Sequence, residues 1–542
     1  MAALVREAEA QVVVADQDAV AEETNIKTFY LKFSYMKKIS LLFIIGLAMS
    51  SMNAQSIFDG LRYATDGVYG TARYNAMSGA FGALGGDLSA MQLNPAGSAV
   101  FTSSFASGSA TLVDNTNEVL FRNNNTRSID TDVNISQAGG VWVFYNSNEE
   151  AKWRKFSIGV NYELLNNYDN EIVSAGTNNT SIGQFFLNQA QGVPLELLSL
   201  QSGESVSSLY QFLGETEGIA AQNAFLGFQG YIIDPEDPSA GNTNYFNNIA
   251  PGTFEQEHFK ATDGYHGKYT FNFAAQFKDD FYVGVNLNTH AIDYRESTFL
   301  FESNQNEGSI VDRVGFENNL WVLGSGFSAQ IGAIAKINDQ FRLGLTYDTP
   351  TWLTISEETS QYLETRRVDA SDNLITEVIN PDVINIFADY RLRTPGSIKA
   401  SAAVLFGKQG LISFDYGYKD YGQLEFRPKN DAFFSLQNSL ISNNLKAASS
   451  YRIGGEYRLN QWSFRGGYRY EESPFNDTKV MGDLSGYSFG LGYSVDNVKI
   501  DLSYAQSNQE RSESLYATGL TTPSNIDNTQ RLFTLTVGFG VL

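Results

Sequence analysis

Cysteine is absent from all 542 residues, which excludes disulfides, thiolate nucleophiles, cysteine-ligated zinc, iron–sulfur clusters and a lipid-bearing cysteine at an export site. Proline is scarce at 11 residues, and there are three histidines, His258, His266 and His290, whose scattered positions show no spacing suited to zinc or haem iron. No metal and no cofactor is therefore expected. Basic residues are also in short supply: 37 Lys and Arg stand against 60 Asp and Glu, a net charge of -23, which argues against a nucleic-acid partner. Long apolar runs are missing except for one near the N-terminus, and a mean hydropathy of -0.23 leaves no room for a bundle of spanning helices. No G-x-S-x-G elbow or other nucleophile arrangement appears, so the sequence does not read as an enzyme.

What remains is aromatic and turn-rich: 38 Phe, 29 Tyr and 48 Gly. Strict alternation of apolar and small or polar residues recurs along the chain, as in Tyr269, Phe271, Phe273 against Thr270, Asn272, Ala274, and in Phe533, Leu535, Val537, Phe539 against Thr534, Thr536, Gly538. A period of two marks strands with two unlike faces, and in an outer-membrane barrel one face meets lipid and the other the lumen. Fourteen such segments are predicted, centred roughly on 106, 140, 161, 271, 290, 327, 348, 397, 418, 453, 467, 489, 503 and 535, an even number as single-chain bacterial barrels require. Tight connections near Asn148, Asp279, Asn338, Lys408, Asn460 and Asp496 alternate with stretches read as long polar loops, the pattern of periplasmic turns and external loops. Trp153, Phe341 and Trp462 follow tight turns, where an interfacial aromatic girdle belongs. The predicted fold is all-β: a transmembrane 14-stranded antiparallel barrel over residues 98–542.

Met36, Lys37 and Lys38 open a basic segment, Ile39 to Met49 form an apolar core, and Ser50 to Ala54 supply small polar residues, so 36–54 reads as a cleavable signal peptide that leaves Gln55 first. Residues 1–35 are acidic and precede that basic start, the wrong order for export; they are taken as an extension upstream of the true start at Met36. An exported barrel implies the outer membrane, with membrane lipid around it and the barrel-assembly machinery as a partner during insertion.

Two groups of side chains stand out. The insertion at about 170–263, between Tyr168 and Tyr265, has helix-like apolar spacing in Phe185, Phe186, Leu195, Leu198, Leu209, Phe212, Phe225 and Phe228, which either packs over the barrel mouth or offers an apolar ligand a landing site. On the tenth and eleventh strands Arg452, Glu456 and Arg458, and Arg465, Arg469 and Glu471, fall opposite the aromatic face and so point inward, suited to ion pairs across the wall and to a plug, or to pairing a ligand carboxylate with Arg.

Residues 55–97 lack alternation and are rich in small residues, which suits a compact plug in the lumen. The run G-T-A-R-Y-N-A-M-S-G-A-F-G-A-L-G-G-D-L-S-A-M-Q-L-N-P-A-G-S-A-V-F, from Gly70 to Phe101, resembles the N-terminal hatch of the FadL-type outer-membrane channels for hydrophobic compounds, with Asn94, Pro95, Ala96 and Gly97 at its N-P-A motif. The resemblance implies passive transport by a monomer: external loops catch a hydrophobic small molecule such as a long-chain fatty acid, an apolar pocket holds it, and it leaves sideways through the wall after the hatch shifts. No proline breaks the third strand over Phe156 to Leu164, where an opening is expected, and Gly159 is only a weak candidate for one. Two other roles go with the same barrel: a docking platform for secreted or surface proteins, and haemin uptake, which the absence of a histidine pair and of an energy-coupling N-terminal box disfavours.

Overall fold

The computed structural model describes residues 56–541 apart from 149, 370 and 372. The signal segment 36–54 and the acidic stretch 1–35 lie outside the described residues.

Fourteen strands form the wall among the described residues: β1 (Phe105–Phe121), β2 (Asn124–Tyr145), β3 (Trp153–Asn167), β4 (Phe254–Phe277), β5 (Phe281–Ser303), β6 (Val311–Lys336), β7 (Phe341–Asp348), β8 (Ser397–Phe406), β9 (Gly410–Asp420), β10 (Ala447–Leu459), β11 (Trp462–Glu471), β12 (Leu484–Val495), β13 (Val498–Ser514) and β14 (Pro523–Gly540). Each pairs antiparallel with its neighbours in sequence, and β14 returns to β1 in register from Gly540↔Phe105 to Ser524↔Phe121, which closes the ring. Closure is what lipid demands, because an open edge would leave backbone N–H and C=O groups with no partner in hydrocarbon.

The alternation read from the sequence is the alternation of the wall. Tyr269, Phe271 and Phe273 are about half exposed on the outer face, whereas Thr270 and Asn272 between them are fully buried on the inner one. Trp153, Phe341 and Trp462 begin β3, β7 and β11 at the tight-turn end with 52%, 47% and 44% of their surface exposed. All six predicted tight turns sit at that end. Asn460 and Asp496 occupy theirs with φ near +54° and +50°, the left-handed conformation that two-residue hairpins use and that Asn and Asp tolerate.

The opposite end departs from expectation. β1 and β2 are joined by only Arg122 and Asn123, not a long loop, and the strands themselves carry the extra length. β6 runs for 26 residues, roughly 80 Å of chain at the usual strand rise, although about 10 residues cross the membrane. The wall therefore rises beyond the bilayer, where neither face is lipid-exposed and alternation fades, which is why these stretches read as loops. For the same reason the insertion after β3 is shorter than expected: Asn170–Asn178 continues β3 and pairs with the top of β4.

Before β1, the chain folds inside the barrel as α1 (Ile57–Arg62), α2 (Ala72–Ala76), α3 (Leu88–Leu93) and a 3-10 turn over Pro95–Val100. At the other end α4 (Gly183–Ala190), α5 (Leu195–Leu198), α6 (Val206–Thr216) and α7 (Ile219–Gln229) form a cap, and α8 (Ala432–Asn444) lies in the loop after β9.

Candidate functional site

The N-terminal segment is held by polar contacts on every side. Asn94 is its pivot and is fully buried. Its side-chain oxygen accepts from the Ala96 amide at 3.1 Å and so caps the 3-10 turn, while its amide nitrogen donates to the Gly82 carbonyl at 2.7 Å and to the Ala333 carbonyl of β6 at 3.1 Å. One side chain thus joins two parts of the hatch to the wall. The Pro95 carbonyl accepts from Asn272 of β4 at 2.9 Å, Ala96 is fully buried, and the Gly97 carbonyl accepts from the Gly86 amide at 3.1 Å. Asp415 of β9 accepts from the Phe81 and Gly82 amides at 2.9 Å each, and Thr536 of β14 accepts from the Ala72 amide at 2.7 Å.

Glycines on the lumen face let this backbone come close. A Cβ at Gly284 would lie 2.4 Å from the Pro95 carbonyl carbon, at Gly344 2.4 Å from the Gly82 oxygen, and at Gly467 2.5 Å from the Met77 carbonyl carbon. Gly159 belongs to the same set, since its Cβ would meet the Met91 sulfur at 2.6 Å. It is a seat for the hatch, not a weak point in the wall.

The six charged residues of β10 and β11 come together as an ion-pair network. Glu456, with a fully buried carboxylate, receives Arg458 at 2.5 Å, Arg465 at 2.6 Å and Arg73 of α2 at 2.8 Å; Arg465 also reaches Asp501 at 2.6 Å. Higher up, Glu471 takes Arg452 at 3.2 Å and Arg469 at 3.7 Å, and Arg452 donates to the Tyr74 hydroxyl of the hatch at 3.4 Å. Cross-wall and wall-to-hatch pairing accounts for all six. Within the hatch, burial raises the carboxyl of Asp87 above its ordinary pKa although Arg73, Thr71 and the Ser89 amide favour its charge.

Of the eight apolar cap residues, six are buried in one core: Phe185, Phe186, Leu195, Leu198, Leu209 and Phe225. Phe228 packs partly against it, and Phe212 is 47% exposed. The same core includes Leu300 of β5 and Val314 and Phe316 of β6, all on inner faces, so the cap sits within the mouth. Glu302 fixes it by accepting from the Ile182 amide at 2.8 Å.

Between cap and hatch lies a cavity of about 1070 Å³ that reaches from Phe58 and Leu61 of α1 to Tyr294, Leu320 and Tyr516. Its wall is interrupted on one side. β2 and β3 are paired from Tyr145↔Lys155 up to Gln137↔Glu163; among the described residues no backbone pairing joins them above that point. Both strands nevertheless continue, β2 paired with β1 to Asn124 and β3 paired with β4 to Asn167↔Tyr265. A register shift between Leu164 and Asn166 turns the Leu165 carbonyl to the Gly67 amide of the hatch at 2.9 Å, and Asn166 donates to the Thr65 carbonyl at 2.6 Å. The seam is bordered by Asp132 and Asn134 on one lip and Asn167 and Asp169 on the other, with Asn167 3.5 Å from Asp132 across it. Higher up, side chains of β2 bridge to the continuation of β3, as Asn124 does to the Ala175 carbonyl at 2.8 Å. Gly67, Asn166, Asn167 and Asp169 also line the cavity, so cavity and seam meet.

Sequence reasoning missed the seam, whose signal is a missing partner and not a residue type. It also missed a histidine contact: His266 and His290 touch at 3.0 Å between their ring nitrogens, and His290 reaches Ser328 at 2.8 Å. The β4–β5 hairpin brings them together, because its register pairs Lys268 with His290 and sets His266 diagonally beside it. The correction is to the reading of all three as scattered. No group of three or more metal-ligating residues occurs among the described residues.

Several solved structures are similar to this chain. The Pseudomonas aeruginosa FadL homologue is 12% identical, with 88% of this chain and 99% of that chain covered and a TM-score of 0.49. The Pseudomonas putida toluene transporter TodX is 12% identical over 88% of this chain and all of that chain, at a TM-score of 0.46. The Ralstonia pickettii toluene transporter TbuX is 14% identical over 88% of this chain and 99% of that chain, at 0.43. No curated protein matches. The family model described as outer membrane protein transport protein (OMPP1/FadL/TodX) matches residues 305–532, from the β5–β6 connection to within β14. Over those residues the chain is similar to the OMPP1/FadL/TodX family of outer-membrane transport proteins.

Proposed function

We propose that this protein is a passive outer-membrane channel for hydrophobic small molecules, in which the hatch governs release and the seam between β2 and β3 is the exit. The observation that carries the reading is the seam itself: a lumen cavity of about 1070 Å³ meets the one stretch where adjacent, continuing wall strands of the described residues lack backbone pairing, and the hatch segment Thr65–Gly67 is bonded to its rim. The physics favours a sideways route. An apolar solute gains roughly 0.8 kcal/mol per CH₂ on leaving water, so passing from the cavity into hydrocarbon avoids a return to water in the periplasm. The family described as outer-membrane transport proteins, and the printed names of the toluene transporters it is similar to, agree with such a cargo.

The hatch does not leave as a body in this mechanism. From Gly70 onward it is fixed by Asn94, Asp415, Thr536 and Arg73–Glu456, whereas Ser56–Gly67 meets the wall through Asn166, the Leu165 carbonyl, Lys419, the apolar face of α1, and Arg62, which stacks on Tyr294 and pairs with Glu296 of β5. A local shift of Ser56–Gly67 uncovers the seam. One chain closes the ring, so the proposed route needs no second copy. The test is uptake of a radiolabelled hydrophobic compound by cells making the protein, with and without an uncoupler and with Ser56–Leu93 deleted. Uptake that depends on the protein, ignores the uncoupler and changes on deletion is expected; unchanged uptake on deletion removes the hatch from the mechanism.

A further inference from the structure

The cavity between cap and hatch narrows the class of cargo, given the transport reading above. Eight acidic and five basic residues line it. Four of the basic ones already hold a carboxylate: Arg62 with Asp59 at 2.8 Å, Lys260 with Glu513 at 3.2 Å, Arg511 with Glu513 at 2.8 Å and Arg469 with Glu471 at 3.7 Å. The fifth, Lys479, is solvent-exposed in the loop after β11. A carboxylate arriving here adds a negative group to an acidic surround and meets no buried cation that lacks an anion. Taking it out of water without a partner is costly, and displacing a resident carboxylate leaves that one stranded instead.

Neutral polar groups meet the opposite situation. Tyr516, in the β13–β14 connection, lines the cavity, and its hydroxyl is buried behind that surface without a hydrogen-bond partner. Its ring rests on the cap, 4.8 Å from Phe185 and 6.1 Å from Phe316, so the hydroxyl is the polar end of an apolar platform. On the seam side the Tyr168 hydroxyl likewise makes no hydrogen bond of normal geometry, with its ring edge-on to Tyr294 at 5.2 Å. A buried hydroxyl without a partner needs explaining, and an oxygen on a bound molecule satisfies it at no cost in charge.

We propose that the cavity selects uncharged amphiphiles, an apolar body ending in a hydroxyl or carbonyl, over the corresponding carboxylates. Fatty-acid anions are then poor cargo for this channel, and alcohols, phenols or ketones are good cargo.

The test is equilibrium binding of radiolabelled 1-dodecanol and dodecanoate to the purified full chain in amphipol at pH 8, where the acid is ionised. The alcohol is expected to bind at least about tenfold more tightly, a difference of about 1.4 kcal/mol. Tyr516→Phe lowers alcohol binding and leaves dodecanoate unchanged; Glu513→Gln, which frees Lys260 and Arg511 of one shared carboxylate, raises dodecanoate binding. Heat-modifiable electrophoretic mobility confirms that each variant is a folded barrel. Dodecanoate bound as tightly as the alcohol by the unmodified protein overturns the proposed selectivity while leaving the transport reading intact. Binding of neither overturns both.

Discussion

Replacing Asn94 with alanine should loosen the hatch without opening the barrel. The asparagine is fully buried and makes three hydrogen bonds, two donated to the Gly82 and Ala333 carbonyls and one accepted from the Ala96 amide. At about 1 kcal/mol net for each, and more where a buried group is left without a partner, the loss is about 3–5 kcal/mol. The wall is untouched, because none of its ladder hydrogen bonds involves this side chain and the closing pair of β1 with β14 lies elsewhere. The penalty therefore falls on local opening of Phe81–Gly97, which becomes more frequent by roughly two orders of magnitude or more. Hydrogen exchange by mass spectrometry reads this directly: amides over Phe81–Gly97 should lose protection while those of β4, β5 and β6 keep theirs. Unchanged protection of the hatch would show that Asn94 is not its pivot, and loss of protection throughout the wall would show that hatch and barrel fold as one unit.

Gly284→Val places a side chain where a Cβ alone comes within 2.4 Å of the Pro95 carbonyl carbon, so the barrel should assemble with the 3-10 turn displaced; limited proteolysis from the periplasmic side should then cut between residues 82 and 97, and resistance equal to the parent protein would refute it. Glu456→Gln leaves Arg73, Arg458 and Arg465 without their shared charge, a loss of about 3 kcal/mol for the buried members, and the thermal transition followed by heat-modifiable mobility should fall. Burial raises the Asp87 carboxyl above its ordinary value of 3.8, so the docked hatch binds a proton that the undocked chain has already lost. The contribution of Asp87 to docking is accordingly greatest below pH 3.8 and falls as pH rises through the raised value, a dependence that exchange of the Ser89 amide should show and that Asp87→Asn should remove.

Much of the wall was legible because lipid on one side and a packed lumen on the other force a period of two on each membrane-spanning segment. All fourteen predicted centres fall within or at the ends of β1–β14. The hatch was legible in part: small residues announced close packing, and Asn94–Gly97 stands at the tightest contact with β4–β6. What could not be read depends on neighbours and not on residue type. The upper strands have water or protein on both faces and so lose the alternation that marked the lower halves. The lumen glycines Gly284, Gly344 and Gly467 look like ordinary small members of the alternation until the strand register brings them against one plug. The seam arises because β3 turns at Leu165 towards Gly67, and nothing local to β2 announces that its partner has left. The cap showed its helical spacing plainly, yet the inner-face residues that complete its core, Leu300, Val314 and Phe316, sit more than 70 residues further along the chain.

The most direct measurement links the two lips of the seam. Because the chain has no cysteine, Asp132→Cys and Asn167→Cys introduce the only thiols, at positions whose native side chains approach to 3.5 Å, within reach of a short cleavable bis-methanethiosulfonate linker. Uptake of a hydrophobic compound should be blocked when the linker is in place, return when it is reduced, and be unaffected by modifying either single cysteine. Uptake that continues at its full rate with β2 and β3 tied together would contradict the lateral route.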